Sequence, residues 1–262
     1  TLLMWGSSEH GKLGNGVSDR TAELFPKKVE GLAPVVFISL GSTYAACITS
    51  DDRVFAWGFN AHGNMGIGTR QSHSLPQEII TLRGKGVNKI HCATGQVNPV
   101  VLPNNEGTEG PHTVAVTRDG RLYSFGTAHK GILGNLKDKT LRPVGCDQLT
   151  PYLVGSAFSD HPETMKSGYL DGLKVIQAVS SSIHTAILSD DGAVRCCGCG
   201  STGRMGIRKY MEGLSGGRSR MKCYVPAPTV IEELQERHLH ATSISTSHFG
   251  GAVSPSGSWP RA

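Results

Sequence analysis

Apolar positions along the chain come in short runs broken by polar or glycine-containing turns, and almost nothing repeats at helical spacing. Val36–Leu40 reads as a strand, Gly41-Ser42 as a turn, and Tyr44–Thr49 as a second strand of small apolar residues. A polar turn at Asp51-Asp52 leads into a third strand, Val54–Gly58. His112–Tyr123 and His184–Arg195 repeat the last two strands, with Asp119-Gly120 and Asp191-Gly192 where a hairpin turn needs positive φ. Farther on, Pro26-x-x-Val29, Pro76-x-x-Ile79 and Pro228-x-x-Ile231 place proline on a segment that needs no ladder N–H, an edge or entry strand. Each unit is therefore three or four short antiparallel strands.

The third strand always runs into the same glycine-rich core. Met4–Gly16, Ala56–Gly68, Ser124–Asn135 and Cys196–Ile207 each read aromatic or Cys, Gly, four variable residues, Gly, one residue, an apolar residue, Gly, which makes four copies. The first glycine of each core, Gly6, Gly58, Gly126 and Gly198, gives spacings of 52, 68 and 72 residues. Such a period marks an array of one supersecondary unit. Units of approximately 1–34, 35–86, 87–174, 175–240 and a partial 241–262 follow, read as one continuous domain. Three stretches depart from the repeat and read as inserts: 96–110, 147–172 and 208–224. The third carries Arg208, Lys209, Arg218, Arg220 and Lys222 against one acid, Glu212. In the last unit the distance from His248 to Gly257 is one residue longer than in the other copies, which leaves its register open.

Composition sharpens this picture in three places. Glycine, 34 of 262 residues or about 13%, is nearly double the usual ~7% and matches a chain of tight turns. Seven cysteines, an odd number without dense pairing, point to a reducing, intracellular compartment, cytoplasmic or nuclear. No apolar run approaches a membrane span, the first residues run straight into a repeat rather than reading as a signal peptide, and a net charge of +5 does not by itself call for nucleic acid.

Candidate chemistry is thin. The glycine cores lack the Gly-Lys-Ser/Thr of a phosphate loop. Cys196, Cys197 and Cys199 have no second pair at zinc-site spacing, and Cys197 falls in the slot of Trp57 and Phe125, so they read as buried thiols. Ser182-Ile183-His184 has no orienting acid and no nucleophile elbow. No catalytic, cofactor-binding or metal-binding residue is assigned, and no cofactor is called for. The basic insert lacks interleaved aromatics apart from Tyr210 and Tyr224, so it is no reader of nucleic-acid sequence.

His184-Thr185-Ala186-Ile187-Leu188 and Phe55-Ala56-Trp57-Gly58-Phe59-Asn60-Ala61-His62-Gly63-Asn64-Met65-Gly66 resemble the repeat of the regulator of chromosome condensation family. The resemblance covers almost the whole chain outside the inserts. It implies an all-β fold, a β-propeller that is seven-bladed in the family, of which this chain covers about four to five repeat units. Seven such units would need roughly 360 to 500 residues, so 262 residues read as a fragment of a propeller or a divergent, incomplete array. Pairing of residues 1–30 with 242–262 into a shared blade would give a four-bladed ring, a small and disfavoured arrangement. The structural repeat positions are Trp5, Gly6, Trp57, Gly58, Phe125, Gly126, Gly198, His112 and His184, the histidines bracing the turn in the family. Tyr44 for His, Cys197 for Trp and Thr127 for Asn read as departures that weaken the anchors between blades. His10, His62 and His129 read as solvated residues of a loop at one end of the propeller.

The function implied is a non-catalytic scaffold that binds another protein, a small GTPase or an acidic protein surface, through blade-face loops and inserts. It implies no small-molecule substrate, no membrane partner and no direct reading of nucleic acid. Alternatives are nucleotide exchange on a Ran-type small GTPase, as the founding member performs, and the substrate-binding region of a ubiquitin ligase.

Overall fold

A computed structural model describes residues 1–94, 110–134, 147–155, 170, 172–200, 203–207, 224–247 and 251–256. Within them the chain folds into antiparallel sheets, taken up one after another along the sequence. The first holds β1 (Leu3–Ser7) and β2 (Ala22–Lys28). The second runs β3 (Val35–Leu40), β4 (Tyr44–Thr49), β5 (Val54–Gly58), β6 (His73–Glu78) in spatial order. The third repeats it with β7 (Val87–Cys92), β8 (His112–Thr117), β9 (Leu122–Gly126) and β10 (Gln148–Leu153). The fourth does so with β11 (Val175–Ser180), β12 (His184–Ser189), β13 (Val194–Cys199) and β14 (Tyr224–Val230). A short helix, α1 (Glu232–Glu236), precedes the last pair, β15 (His240–Thr246) and β16 (Gly251–Ser256). Consecutive strands pair through hairpins in order, the up-and-down meander of a propeller blade.

The middle strands explain the apolar runs. Every residue of β4, β5, β8, β9, β12 and β13 is buried, because each sheet is covered on both faces by its neighbours. Tyr44, Ile48, Val54 and Met65 of one blade pack with Ile90, Cys92, Tyr123 and Phe125 of the next. The prolines sit as their chemistry requires: Pro26, Pro76 and Pro228 lie on β2, β6 and β14, each an outermost strand. Asp52 (φ 61°), Gly120 (φ 85°) and Gly192 (φ 75°) take the positive-φ position of the second-to-third-strand turns.

Two sequence readings change, and the disfavoured shared blade stays so. The stretch from residue 147 is not all insert: Gln148–Leu153 is the outer strand of its blade, and Pro151-x-x-Val154 is the same proline signal the other outer strands carry. In the last pair Thr246 stands opposite Gly251, as Ser180 stands opposite Thr185, so Gly251 takes the Thr185 position and the open register is fixed. The terminal pairs β1–β2 and β15–β16 are two separate sheets, not one shared blade.

Candidate interaction face

Three of the four glycine-rich cores are sockets on one blade that receive the next. Trp57 is completely buried, its Nε1 donates to Lys12 O at 3.0 Å, and a β-carbon on Gly14 would lie 2.8 Å from that nitrogen. One blade on, a β-carbon on Gly66 would lie 2.7 Å from the Phe125 ring; on the next, Gly134 faces Cys197 Sγ at 3.3 Å. The preceding glycine of each core meets the outer strand instead, Gly11 against Ser74, Gly63 against Leu149 and Gly131 against Pro226, at 2.5 to 2.7 Å. No side chain fits there, which is why the spacing Gly-x-x-Gly recurs. The first glycine of the core has a different task. Gly58 (φ 108°) ends β5 at an irregularity in the β5–β6 ladder, and a β-carbon there would lie 2.6 Å from Thr43 O. Gly6, Gly126 and Gly198 repeat that φ between 107° and 113°.

Near the inner strands the blades are tied by polar side chains. Tyr44 Oη lies 2.8 Å from both His112 O and Thr113 Oγ1 of the next blade and accepts from Ala93 N–H at 2.9 Å. The histidine-to-tyrosine change therefore adds an anchor between blades rather than weakening one. Burial holds the Tyr44 phenol well above its usual range. Thr113 Oγ1 donates to Asn64 O and Thr185 Oγ1 to Ile132 O, each reaching back one blade. His112 Nε2 stands 2.6 Å from Thr185 Oγ1, while His184 Nδ1 stands 2.6 Å from Ser181 Oγ and closes its own turn. Burial first, then His184 and His91 nearby, pushes His112 down to about 3. The Ser181–His184 pair has the spacing of a nucleophile and base, but Ser181 Oγ is buried and also accepts from the backbone N–H of His184. That is turn bracing, by Ser181 rather than Ser182.

Cys47, Cys92, Cys196 and Cys197 are buried free thiols and Cys199 is buried beside them in sequence; burial pushes Cys47, Cys92 and Cys196 up to about 12 and Cys197 further. Trp5, Gly6, Gly126 and Gly198 stand at the repeat positions, but Trp5 is 63% exposed. Arg208, Lys209, Arg218, Arg220 and Lys222 lie outside the described residues.

The surface that the cores share is the face where their loops emerge. Asn60 builds its loop from within: Nδ2 donates to Thr69 O and Gln71 O, and Oδ1 accepts from Met65 N–H. Strand pairing sets Phe125 opposite Thr113 as Trp57 is opposite Ala45, so Ala128, not Thr127, fills the Asn60 position one repeat later. Phe59 joins two loops, its ring 5.3 Å from His10 of the preceding unit and 6.2 Å from His62. His62 is not a solvated loop residue. It is buried beneath Gly110, with Nδ1 3.6 Å from Asp147 Oδ2. Arg70 meets the same carboxylate across the blade boundary and donates to Ala61 O at 2.8 Å. Burial raises the Asp147 carboxyl, but His62 and Arg70 outweigh it and hold it below its ordinary value. The pairing of residue 62 with residue 147 had no sequence signal, since both fall in stretches that differ between units. His10 and Phe59 thus meet between two loops, and the exposed Arg70 is tied into the second of them through Ala61 O and Asp147.

Meandering blades interlocked in sequence, with no site drawn from their interior, define a propeller of repeat units. The regulator of chromosome condensation (RCC1) repeat matches residues 1–48 and 51–97. Human E3 ubiquitin-protein ligase HERC2 is 27% identical over 251 residues, 94% of this chain and 4% of that protein. The Arabidopsis thaliana ultraviolet-B receptor UVR8 is 22% identical over 210 residues, 79% of this chain and 39% of the receptor. Yeast RCC1 (Prp20), in its crystal structure with Kap60, superposes with a TM-score of 0.67 at 18% identity, covering 97% of this chain and 49% of that one. The chain carries matches to the RCC1 repeat in its first 97 residues, is similar to these proteins, and has the β-propeller fold of the RCC1 type. It spans about half the length of the solved relative and a smaller share of the curated ones.

Proposed function

We propose that this chain is a non-catalytic scaffold that binds another protein through the loop face and the inserts that interrupt its repeat, acting as one propeller segment over residues 1–262. The observation that carries the reading is the division of labour within each core. In three of the cores a glycine receives the aromatic or cysteine of the next blade, while His10 and Phe59 meet from two successive loops and Arg70 lies exposed in the second. An aromatic beside an arginine is the composition that anchors protein interfaces. The crystal structure of a relative with the same fold, Prp20 bound to Kap60, adds support. The free, buried thiols favour action inside the cell, in cytoplasm or nucleus.

The test is a paired pull-down with wild-type protein and a Phe59→Ser/Arg70→Glu variant, alongside charge reversal at Arg218, Arg220 and Lys222. Loss of recovered partners with an unchanged melting curve supports the reading; identical recovery from both variants sinks it. Fold similarity to yeast RCC1 keeps nucleotide exchange on a Ran-type GTPase as a second reading. Acceleration of nucleotide release from the loaded GTPase would establish it and displace the simple scaffold.

A further inference from the structure

A chemically reactive pair lies at the boundary between the first and second sheets. Asn15-Gly16 is the one place in the chain where asparagine precedes glycine. Gly16 has no side chain to shield its backbone nitrogen, and it is exposed, so water reaches the pair. The repeat does not demand this pair: Ile67 stands before Gly68 at the same place one core later. Hydrogen bonds hold it quiet in the fold. Gly16 N–H donates to Ser74 O of the second sheet at 3.0 Å, as Gly68 N–H does to Leu149 O one boundary on, at 2.9 Å. Asn15 Oδ1 accepts from Val17 N–H at 3.1 Å, and its Nδ2 donates to Glu23 Oε1 at 3.0 Å. Glu23 in turn meets Lys27 Nζ at 2.6 Å. Next to the pair, Gly14 seats Trp57, the plug of this boundary, and Lys12 O accepts the indole N–H.

We propose that Asn15-Gly16 is a site of deamidation, gated by the boundary between the first two sheets, and that its product weakens that boundary. Gly16 N attacks Asn15 Cγ. The N–Cγ bond forms, the Cγ–Nδ2 bond breaks, and the Gly16 N–H proton leaves with the amide group as ammonia, giving a succinimide. Water then opens either carbonyl of that ring and leaves aspartate or isoaspartate, each carrying a new carboxylate. The attack requires the Asn15 side chain to swing off Val17 and Glu23, and the Gly16 nitrogen to leave Ser74 O. Both happen when the boundary opens, a local event short of global unfolding. The neighbours dictate the consequence. Aspartate sets a second carboxylate against Glu23, with the Lys27 ammonium shared between them. Isoaspartate inserts an extra main-chain carbon between Gly14, packed on Trp57, and Gly16, bonded to Ser74.

The test ages the 262-residue chain at neutral pH, folded and in denaturing urea, and maps the peptide carrying residue 15 by mass. Isoaspartyl methyltransferase labelling marks the isomer. The expected result is conversion at residue 15 in urea, slower by at least about tenfold in the folded chain. Sub-denaturing urea and Trp57→Ala each raise the folded rate, and the urea series reads the gate without any substitution. An unmodified residue 15 in denaturing urea overturns the site. Equal rates in folded and unfolded chain, or a folded rate that sub-denaturing urea leaves unmoved, overturn the gate. Asn15→Asp reads the consequence: its urea midpoint falls at neutral pH, and adding Glu23→Gln restores part of the loss. A wild-type midpoint for Asn15→Asp overturns the weakening.

Discussion

Trp57 and Cys197 hold the same place on the third strand of their blades, yet they meet the preceding blade differently. Trp57 fills its socket, with no exposed surface, its ring against Gly14 and its N–H on Lys12 O. Cys197 brings one sulfur to the equivalent place, 3.6 Å from Ile132 O, and Pro228 of the outer strand moves in beside it to within 3.2 Å of the Gly134 β-carbon position. The glycine turn is retained where the aromatic is not. Close approach of backbones is therefore the fixed requirement of a blade boundary, and the side chain that seals it is negotiable provided a neighbour supplies the lost volume.

The strongest way to break this comparison is to empty both slots. Trp57→Ala is expected to cost about 3 to 5 kcal/mol in urea unfolding, and Cys197→Ala about 1 kcal/mol. Equal costs would mean the two boundaries do not differ. Filling the sockets is the next largest perturbation. Gly66 and Gly134 share nearly the same φ, 70° and 68°, so alanine brings the same backbone strain to each. The difference between the two variants then reports the plug. Gly66→Ala, driven into the Phe125 ring, is expected to be worse by about 1 to 3 kcal/mol. Tyr44→Phe sharpens the account of the inner strands. It removes the hydroxyl's contacts with His112 O and Thr113 Oγ1 and leaves Ala93 N–H with His112 O alone, for a loss of about 0.5 to 1.5 kcal/mol, where a mere filler would lose nothing.

Acid should act at the boundary bridged by His112. Its pKa in the fold, about 3, lies below its unfolded value, so it stays neutral when folded and takes up a proton on unfolding. The stability it contributes is complete above the unfolded pKa of about 6.5 and is lost as pH falls toward 3. The slope is at most about 1.4 kcal/mol per pH unit for one proton. His91, also lowered by burial, adds to it in the same direction. Urea midpoints between pH 7 and 5 for wild type and His112→Gln check this: the variant's profile should be flatter, and parallel profiles would remove His112 from the account.

Much of the architecture could be read from residues because it rests on local chemistry. Asp-Gly and Asp-Asp mark hairpins, proline marks the outer strand, and fully apolar runs mark strands covered on both faces. The face was harder. Pro151 carried the outer-strand signal, but it lay in a stretch long enough to pass for an insert. His62 is buried by Gly110 and Asp147, residues 48 and 85 positions further on, whose placement depends on how two blades meet. The reading of Tyr44 failed for a related reason. The Tyr44 hydroxyl reaches the threonine of the next blade as the His112 imidazole does one repeat later, a contact that is invisible until the neighbouring blade is in place.

The glycine-rich core acts as a socket for the next blade. A double-mutant cycle of Gly14→Ala with Trp57→Ala tests it directly, because backbone strain at Gly14 cancels within the cycle. If the claim holds, Gly14→Ala costs at least about 1 kcal/mol less once the indole is gone, with Gly134→Ala and Cys197→Ala coupled more weakly. Strictly additive costs for Gly14 and Trp57 would contradict it.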